Sequence, residues 1–198
     1  MKSFEVIAKE IRTNAKHVLE KKNIETSLEN YGELFFTGSY ALDLMTWNDI
    51  DMQLVLKDDV DPINVLGEFY RQITKDPGFI EAQMISFKGK YKPKMPRGVY
   101  LGIKLDFPEH GGVWKLDLWV LAKADFEKNR SLIEELKSKL DSETRKFVLE
   151  LKHEMMTGSD RVPQMGSHLL YKAVLLNGIK RRDELFEFFA KHGIDVKR

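Results

Sequence analysis

Apolar positions follow a helical period up to about Asn23 and again beyond Leu121, and between them fall mostly into short strand-like runs interrupted by one helical stretch. Phe4, Ile7, Ala8, Ile11, Ala15, Val18 and Leu19 share one side of a helix with charges between them, which predicts an opening helix that ends near Asn23. A polar connector from Glu25 to Gly32 is expected next. Leu34-Phe35-Phe36-Thr37, stopped by Gly38-Ser39, reads as a strand, Tyr40 to Trp47 as a short helix or turn, and Ile50 to Leu56 as a second strand. Asp61-Pro62 pairs a capping side chain with proline at the first helical position, and Leu66, Phe69, Tyr70 and Ile73 continue that helix to Asp76-Pro77-Gly78. Phe79 to Phe87 predicts another strand. Val99 to Phe107 and Val113 to Leu121 flank Pro108-Glu-His-Gly-Gly112 and predict a hairpin.

Beyond Leu121 the helical period returns. Leu132, Ile133, Leu136 and Leu140 form one stripe, and Phe147, Val148, Leu151 and Met155 a second. Thr157 to Gly166 reads as a loop. Leu169, Leu170, Ala173, Val174 and Leu176 form a third stripe, ended by Asn177-Gly178, and Asp183 is the expected cap of a last helix closed by Gly193. The reading is an α/β chain. A core of residues 1–121 carries a mixed, largely antiparallel sheet flanked by helices, and a helical bundle follows over 122–198. Composition bounds the chemistry. The 198 residues contain no cysteine, which excludes disulfides, thiolate metal sites and cysteine nucleophiles. No apolar run approaches the roughly 18–20 residues that cross a bilayer. The first residues lack a signal peptide's apolar stretch, so a cytoplasmic protein with no membrane partner is expected. A net charge of +1 leaves any nucleic-acid role to a local patch.

The chemistry lies in carboxylates. Asp49 and Asp51 open a predicted strand, and residues two apart on a strand point to the same side. Met52, Leu54 and Leu56 point to the other side. Two like charges this close repel, and a divalent cation relieves the repulsion; hard oxygen donors suit Mg²⁺. In Trp114-Lys-Leu-Asp117-Leu-Trp-Val-Leu121, Asp117 shares a face with Lys115 and Trp119, opposite Trp114, Leu116, Leu118 and Val120. If the two strands are neighbours, three carboxylates converge, a set able to hold two metal ions about 3.5–4 Å apart. Asp106, beside the hairpin turn, is a rival third ligand. Gly38-Ser39 offers the complement: glycine permits close backbone approach, and a helix begun at Ser39 would present N–H groups and a hydroxyl to a triphosphate.

This order of strand, Gly38-Ser39, Asp49-Ile50-Asp51 and a later Asp117 resembles the nucleotidyltransferase superfamily that includes DNA polymerase β and the small antibiotic-modifying nucleotidyltransferases. The likeness covers about residues 30 to 121. Leu42-Asp43 stands where many small members carry Arg-Gly, and Asn48 where many carry Ser. The resemblance implies an NTP bound with two Mg²⁺, attack of an acceptor hydroxyl on the α-phosphorus, and departure of pyrophosphate. It implies Asp49 and Asp51 as ligands of both metals. Asp117 becomes a ligand of the nucleophile-side metal and a candidate acceptor of the hydroxyl proton. It also implies a lysine or serine from a tail helix reaching the triphosphate, for which Lys172 is the candidate.

The acceptor expected is a small molecule with a hydroxyl, because the chain is short, near neutral and carries no recognisable RNA-binding module. The alternatives are a protein- or RNA-directed transferase of the same fold, of toxin–antitoxin type, and a nucleotide-binding module without catalysis. Lys88, Lys90, Lys92, Lys94 and Arg97 form a basic loop that reads first as solvated and second as a clamp for an anion. Trp119 is a candidate wall of the base or acceptor site. The five histidines are scattered and read as surface or structural.

Overall fold

The computed structural model describes residues 2–57, 60–87, 96–157 and 166–194. Helix α1 (Phe4–Lys21) starts where the Ser3 hydroxyl accepts the Val6 N–H. The expected polar connector is instead a second helix, α2 (Ile24–Glu29), with Ile24 and Leu28 fully buried. Asn23 makes the corner at φ +50°, a left-handed conformation that asparagine tolerates better than most residues. Two apolar residues four apart in an otherwise polar hexapeptide were too faint a period to announce a helix.

Strands β1 (Gly32–Phe36), β2 (Asp49–Leu56), β3 (Phe79–Phe87), β4 (Gly98–Phe107) and β5 (Gly112–Leu121) fall where the sequence predicts strands, β1 beginning two residues early. Between them lie the four-residue α3 (Gly38–Ala41) and α4 (Pro62–Ile73). Asp61 caps α4 by accepting the Ile63 N–H. Tyr70, expected on the buried face of α4, is 39% exposed, and Val65 is buried there instead. The strands form one sheet in the order β1-β2-β5-β4-β3. β2 and β5 run parallel, and the other three pairings are antiparallel.

The sheet has one apolar face. Ile50, Met52 and Leu54, with Leu116, Leu118 and Val120 and with Leu101, Ile103 and Leu105, pack against α1, α2 and α4 through Val18, Leu19, Leu28, Leu66 and Phe69. The other face carries the polar residues and is described below. Helices α5 (Lys123–Ser138), α6 (Ser142–Lys152), α7 (Ser167–Tyr171) and α8 (Arg182–Lys191) follow the sheet; α6 and α7 each run on into a wider π-helical turn, His153–Thr157 and Lys172–Leu176. These helices share a second core with Ala8 of α1 and with Leu42 and Leu44 of the loop after α3. Of the stripe on α5, Ile133 and Leu136 are buried and Leu132 is exposed. The cap of α8 is Arg181 rather than Asp183; Asp183 sits in the first turn, paired to Arg181 at 2.6 Å. Lys88, Lys90, Lys92 and Lys94 of the basic loop and most of the 157–166 loop lie outside the described residues. Among the described residues, no helix is long and apolar enough to cross a membrane.

Because Leu28 is wholly buried, Leu28→Ala should lower the unfolding free energy by roughly 2–5 kcal/mol in a denaturant titration. A polar connector at this place would tolerate the change.

Candidate active site

The parallel register of β2 and β5 builds the site. Asp49 lies opposite Lys115, Asp51 opposite Asp117, and Gln53 opposite Trp119. The antiparallel register of β5, β4 and β3 extends these into cross-strand rows on one face of the sheet. The first row is Asp49, Lys115, Lys104 and Glu81. The second is Asp51, Asp117, Gly102 and Gln83. The third is Gln53, Trp119, Tyr100 and Ile85. Carboxylate oxygens of Asp49, Asp51 and Asp117 all lie within 4.8 Å of one another. Asp106, the rival third acid, is exposed at the hairpin end opposite Val113 and stands outside this group.

Like charges gathered out of solvent raise one another's affinity for protons. Burial, then the charges of Asp49 and Asp117, push the Asp51 carboxyl up to about 7. Burial also raises Asp49, against the pull of Lys115. Asp117 accepts hydrogen bonds from the Tyr100 hydroxyl at 2.7 Å and from Lys115 Nζ at 2.5 Å. Asp49 accepts a long 3.4 Å bond from the Trp47 indole at one oxygen, while its buried Oδ1 has no hydrogen-bond partner. The donor set fits a hard divalent cation: three carboxylates in reach of one another, all oxygen donors, with a buried oxygen left over.

Gly38 sets how closely the loop after β1 approaches. Its φ is +58°, and a Cβ there would stand 2.1 Å from Asp51 Oδ2. Glycine is therefore required twice, for the left-handed backbone and for contact with the carboxylate. The Thr37 N–H donates to the Asp51 carbonyl at 2.9 Å and joins this loop to β2. Asp43, in the place where many small members of the resembled superfamily carry glycine, also has a left-handed φ of +55°. Aspartate is among the few residues that take that conformation at modest cost. Arg145 from α6 holds its carboxylate at 3.0 Å, and Arg12 from α1 lies 3.6 Å away while also donating to the Tyr40 carbonyl. Asn48 donates its side-chain amide to the carbonyls of Gly111 and Val113 and so fixes the start of β2 to the hairpin turn.

Beside Gly38, the Ser39 hydroxyl meets a lysine that the sequence reading passed over. Lys152 is completely buried at the end of α6. Its ammonium donates to Ser39 Oγ at 2.7 Å, to the Leu44 carbonyl at 2.6 Å and to the Tyr171 hydroxyl at 3.0 Å. It also lies 4.5 Å from the centre of the Trp47 ring. Burial depresses it to about 7, with Asp51 and Asp49 pulling it back up. One signal was available. Val148, Leu151, Lys152 and Met155 recur at i, i+3, i+4 and i+7, so the lysine sits on the apolar stripe of its helix. Lys172, the tail lysine expected near the phosphates, is exposed. Its neighbour Tyr171 turns inward to Ser39 at 3.0 Å, and consecutive helical residues are roughly 100° apart.

A groove of about 500 Å³ lies across β3, β4 and β5, lined by Glu81, Gln83, Tyr100, Gly102, Lys104 and Lys115, two of which, Tyr100 and Lys115, hydrogen-bond to Asp117. Gly102 leaves the space beside Asp117 that the Tyr100 hydroxyl crosses; a Cβ at 102 would stand 2.2 Å from that oxygen. Trp119 is half-buried in the third row, stacked on Phe87 with ring centres 5.1 Å apart.

No protein-family model matches the sequence, and no curated protein matches it significantly. Solved structures do match. Cid1 poly(U) polymerase with MgGTP bound superposes with a TM-score of 0.58 at 19% identity, over 84% of this chain and 50% of that one. The GLD-2/RNP-8 complex gives 0.55 at 14% identity, over 91% and 65%. The chain has the polymerase β-like nucleotidyltransferase fold. The STING-associated CdnE c-di-GMP synthase from Capnocytophaga granulosa shares this nucleotidyltransferase fold at a TM-score of 0.53 and 14% identity, over 92% and 67%. The chain spans about half the length of the Cid1 chain that it matches.

Two outcomes test the site. Gly38→Ala should destabilise the fold by about 1 kcal/mol or more, from the left-handed φ alone. It should also weaken divalent-cation binding in calorimetry, because the new methyl displaces Asp51. The second outcome concerns pH. A carboxyl raised from 3.8 to about 7 takes up a proton on folding, so its contribution is complete below about pH 4 and is lost as pH rises through 7. Without metal, the melting temperature of the wild type should therefore fall between pH 4.5 and 7.5 relative to Asp51→Asn. The relative loss should be on the order of 2 kcal/mol, measured by thermal melts in chelator.

Proposed function

We propose that the protein is a metal-dependent nucleotidyltransferase that moves an NMP from an NTP onto a hydroxyl and releases pyrophosphate. The convergence of Asp49, Asp51 and Asp117 within 4.8 Å, beside Gly38-Ser39, carries this reading. The Cid1 structure with MgGTP, of the same fold, supports it. Asp49 and Asp51 would hold two Mg²⁺ ions, with Asp117 on the acceptor side. When bound, such ions supply charge neutralisation at the phosphates and acidity at the acceptor hydroxyl.

The remaining roles belong to the chain. In this reading the Ser39 Oγ takes the phosphate side, and the buried Lys152 ammonium, whose three N–H groups go to Ser39, Leu44 and Tyr171, acts behind it through its charge and by orienting that hydroxyl. A buried ammonium interacts strongly with a phosphate because little water screens it. Its hydrogen bonds to Ser39, Leu44 and Tyr171 fix its position before the nucleotide arrives. The acceptor would enter along the groove lined by Tyr100 and Lys115, the partners of Asp117, whose volume suits a small polar molecule. Its hydroxyl oxygen attacks the α-phosphorus as the bond to the pyrophosphate oxygen breaks. The carboxylate of Asp117 receives the proton, and the Tyr100 hydroxyl orients that carboxylate.

A second reading has a nucleotide or RNA hydroxyl as acceptor. It is favoured by the chemistry of proteins that share the fold, a poly(U) polymerase and a c-di-GMP synthase among them.

Pyrophosphate release is the direct assay, with each of the four NTPs and Mg²⁺ against a panel of polyols, aminosugars, nucleotides and an oligoribonucleotide. Release with a small hydroxyl compound, abolished by Asp51→Asn and by chelation, is the expected result. Release with the nucleotides or the oligoribonucleotide alone would favour the second reading, and none across the panel would count against transferase activity. Lys152→Met keeps the stem and removes the charge. It should still fold, less stably for the unpaired Leu44 carbonyl, and raise the KM for NTP by about tenfold or more, the effect of losing the buried charge that orients Ser39. An unchanged KM would remove Lys152 from the phosphate site.

A further inference from the structure

Lys115 occupies an unusual place among the three acids. Among the described residues, salt bridges to Asp49 and Asp117 come from Lys115 alone. Its ammonium is 2.5 Å from Asp117 Oδ2 and 3.9 Å from Asp49 Oδ1, the buried oxygen that has no hydrogen-bond partner. The register explains the reach. Lys115 lies directly opposite Asp49 on the parallel strand and two residues before Asp117, on the same face of the sheet. Its ammonium thus stands between two carboxylates that a shared divalent ion would bridge.

The rest of the side chain is loosely held. It is 44% exposed and borders the groove between Tyr100, whose ring and hydroxyl cover Gly102, and Lys104, which lies opposite on β4. A flexible four-carbon stem ending in a compact charge is suited to leaving such a position without disturbing the backbone. Lys104 gives the contrast. It sits beside Lys115 in the same cross-strand row and lines the same groove, yet pairs with Glu81 at 2.7 Å and not with the acid cluster.

We propose that Lys115 is a tethered competitor for the divalent cation at the Asp49–Asp117 corner. Its ammonium neutralises the corner until an ion loads, then swings outward into the solvent-open part of the groove. The proposal rests on the metal-binding reading of the three aspartates. Two consequences follow. The carboxylates can be brought together and kept folded before any metal is present. Metal loading at this corner is also weaker than three carboxylates alone would make it, because an ammonium must be displaced. The withdrawn ammonium then stands in the groove, where the acceptor would lie.

The test measures Mn²⁺ binding to the full chain without nucleotide, by electron paramagnetic resonance of free Mn²⁺. The proteins compared are the wild type, Lys115→Met, Lys104→Met and Asp51→Asn, each checked for folding by circular dichroism. Lys115→Met should tighten the weakest Asp51-dependent binding step by about tenfold or more, and Lys104→Met by less than about twofold, since a directly competing charge acts at far shorter range than a neighbouring one. Lys115→Gln supplies the same readout should the methionine variant not fold. Wild-type affinity in the Lys115 variants, with binding still lost in Asp51→Asn, would overturn the proposal and leave the metal site standing. Equal tightening by Lys104→Met would also overturn it, because the effect would then be a diffuse field. If no form shows Asp51-dependent Mn²⁺ binding, the metal reading falls and the role of Lys115 falls with it.

Discussion

The mutual repulsion of Asp49, Asp51 and Asp117 is the constraint around which this molecule is arranged. Three carboxylates within 4.8 Å, themselves mostly shielded from water, would push apart if nothing opposed them. What opposes them is the sheet. β2 and β5 are hydrogen-bonded in parallel register, and their opposite face is buried as a continuous layer of Ile50, Met52, Leu54, Leu116, Leu118 and Val120. Slipping either strand by one residue would relieve the repulsion but would turn that apolar layer outward. Burial on one face therefore holds charge together on the other.

The charges that answer the acids come from different directions. Lys115 reaches them along the sheet, from the side of the groove. Lys152 comes from α6 and is wholly buried, held by Ser39, Leu44 and Tyr171. Because burial lowers the ammonium of Lys152 and raises the carboxyl of Asp51, each to about 7, both groups are tuned away from their ordinary charged states. Such opposed tuning by environment is common where protons and phosphates are handled. In the proposed reaction, one lysine backs the phosphate side and the other the acceptor side, with the acids between them.

The loop from Thr37 to Asn48 connects these parts, and its shape depends on two left-handed residues. Gly38 lets the backbone touch Asp51. Asp43 takes a conformation usually left to glycine and is held there by Arg145 and Arg12 from two helices. The loop is thereby tied both to the sheet and to the helical layer, and its buried Leu42 and Leu44 belong to the core of the tail helices.

Much of this was legible in the chain. Apolar runs and their turn residues placed all five strands, and the two-residue period put Asp49 with Asp51 and Asp117 with Lys115 on common faces, because side-chain direction along a strand is a local property. Asp61-Pro62 announced α4 for the same reason. Where local signals were weak or double, the reading went astray: α2 has only two apolar residues, and Asp183 resembles a cap while serving as a first-turn acid. The pairing of β2 with β5 could not be read from either segment, since hydrogen bonds between strands about sixty residues apart leave no local mark. Nor could the contact of Lys152 with Ser39 or the exposure of Lys172, because which helical face turns toward Ser39 is set by packing among α3, α6 and α7. The sequence by itself determined the elements, the apolar face of the sheet and the identities of the three acids. Only the tertiary structure decided that the acids meet and which lysines answer them, because charge–charge contacts between distant segments arise from the packing of whole elements.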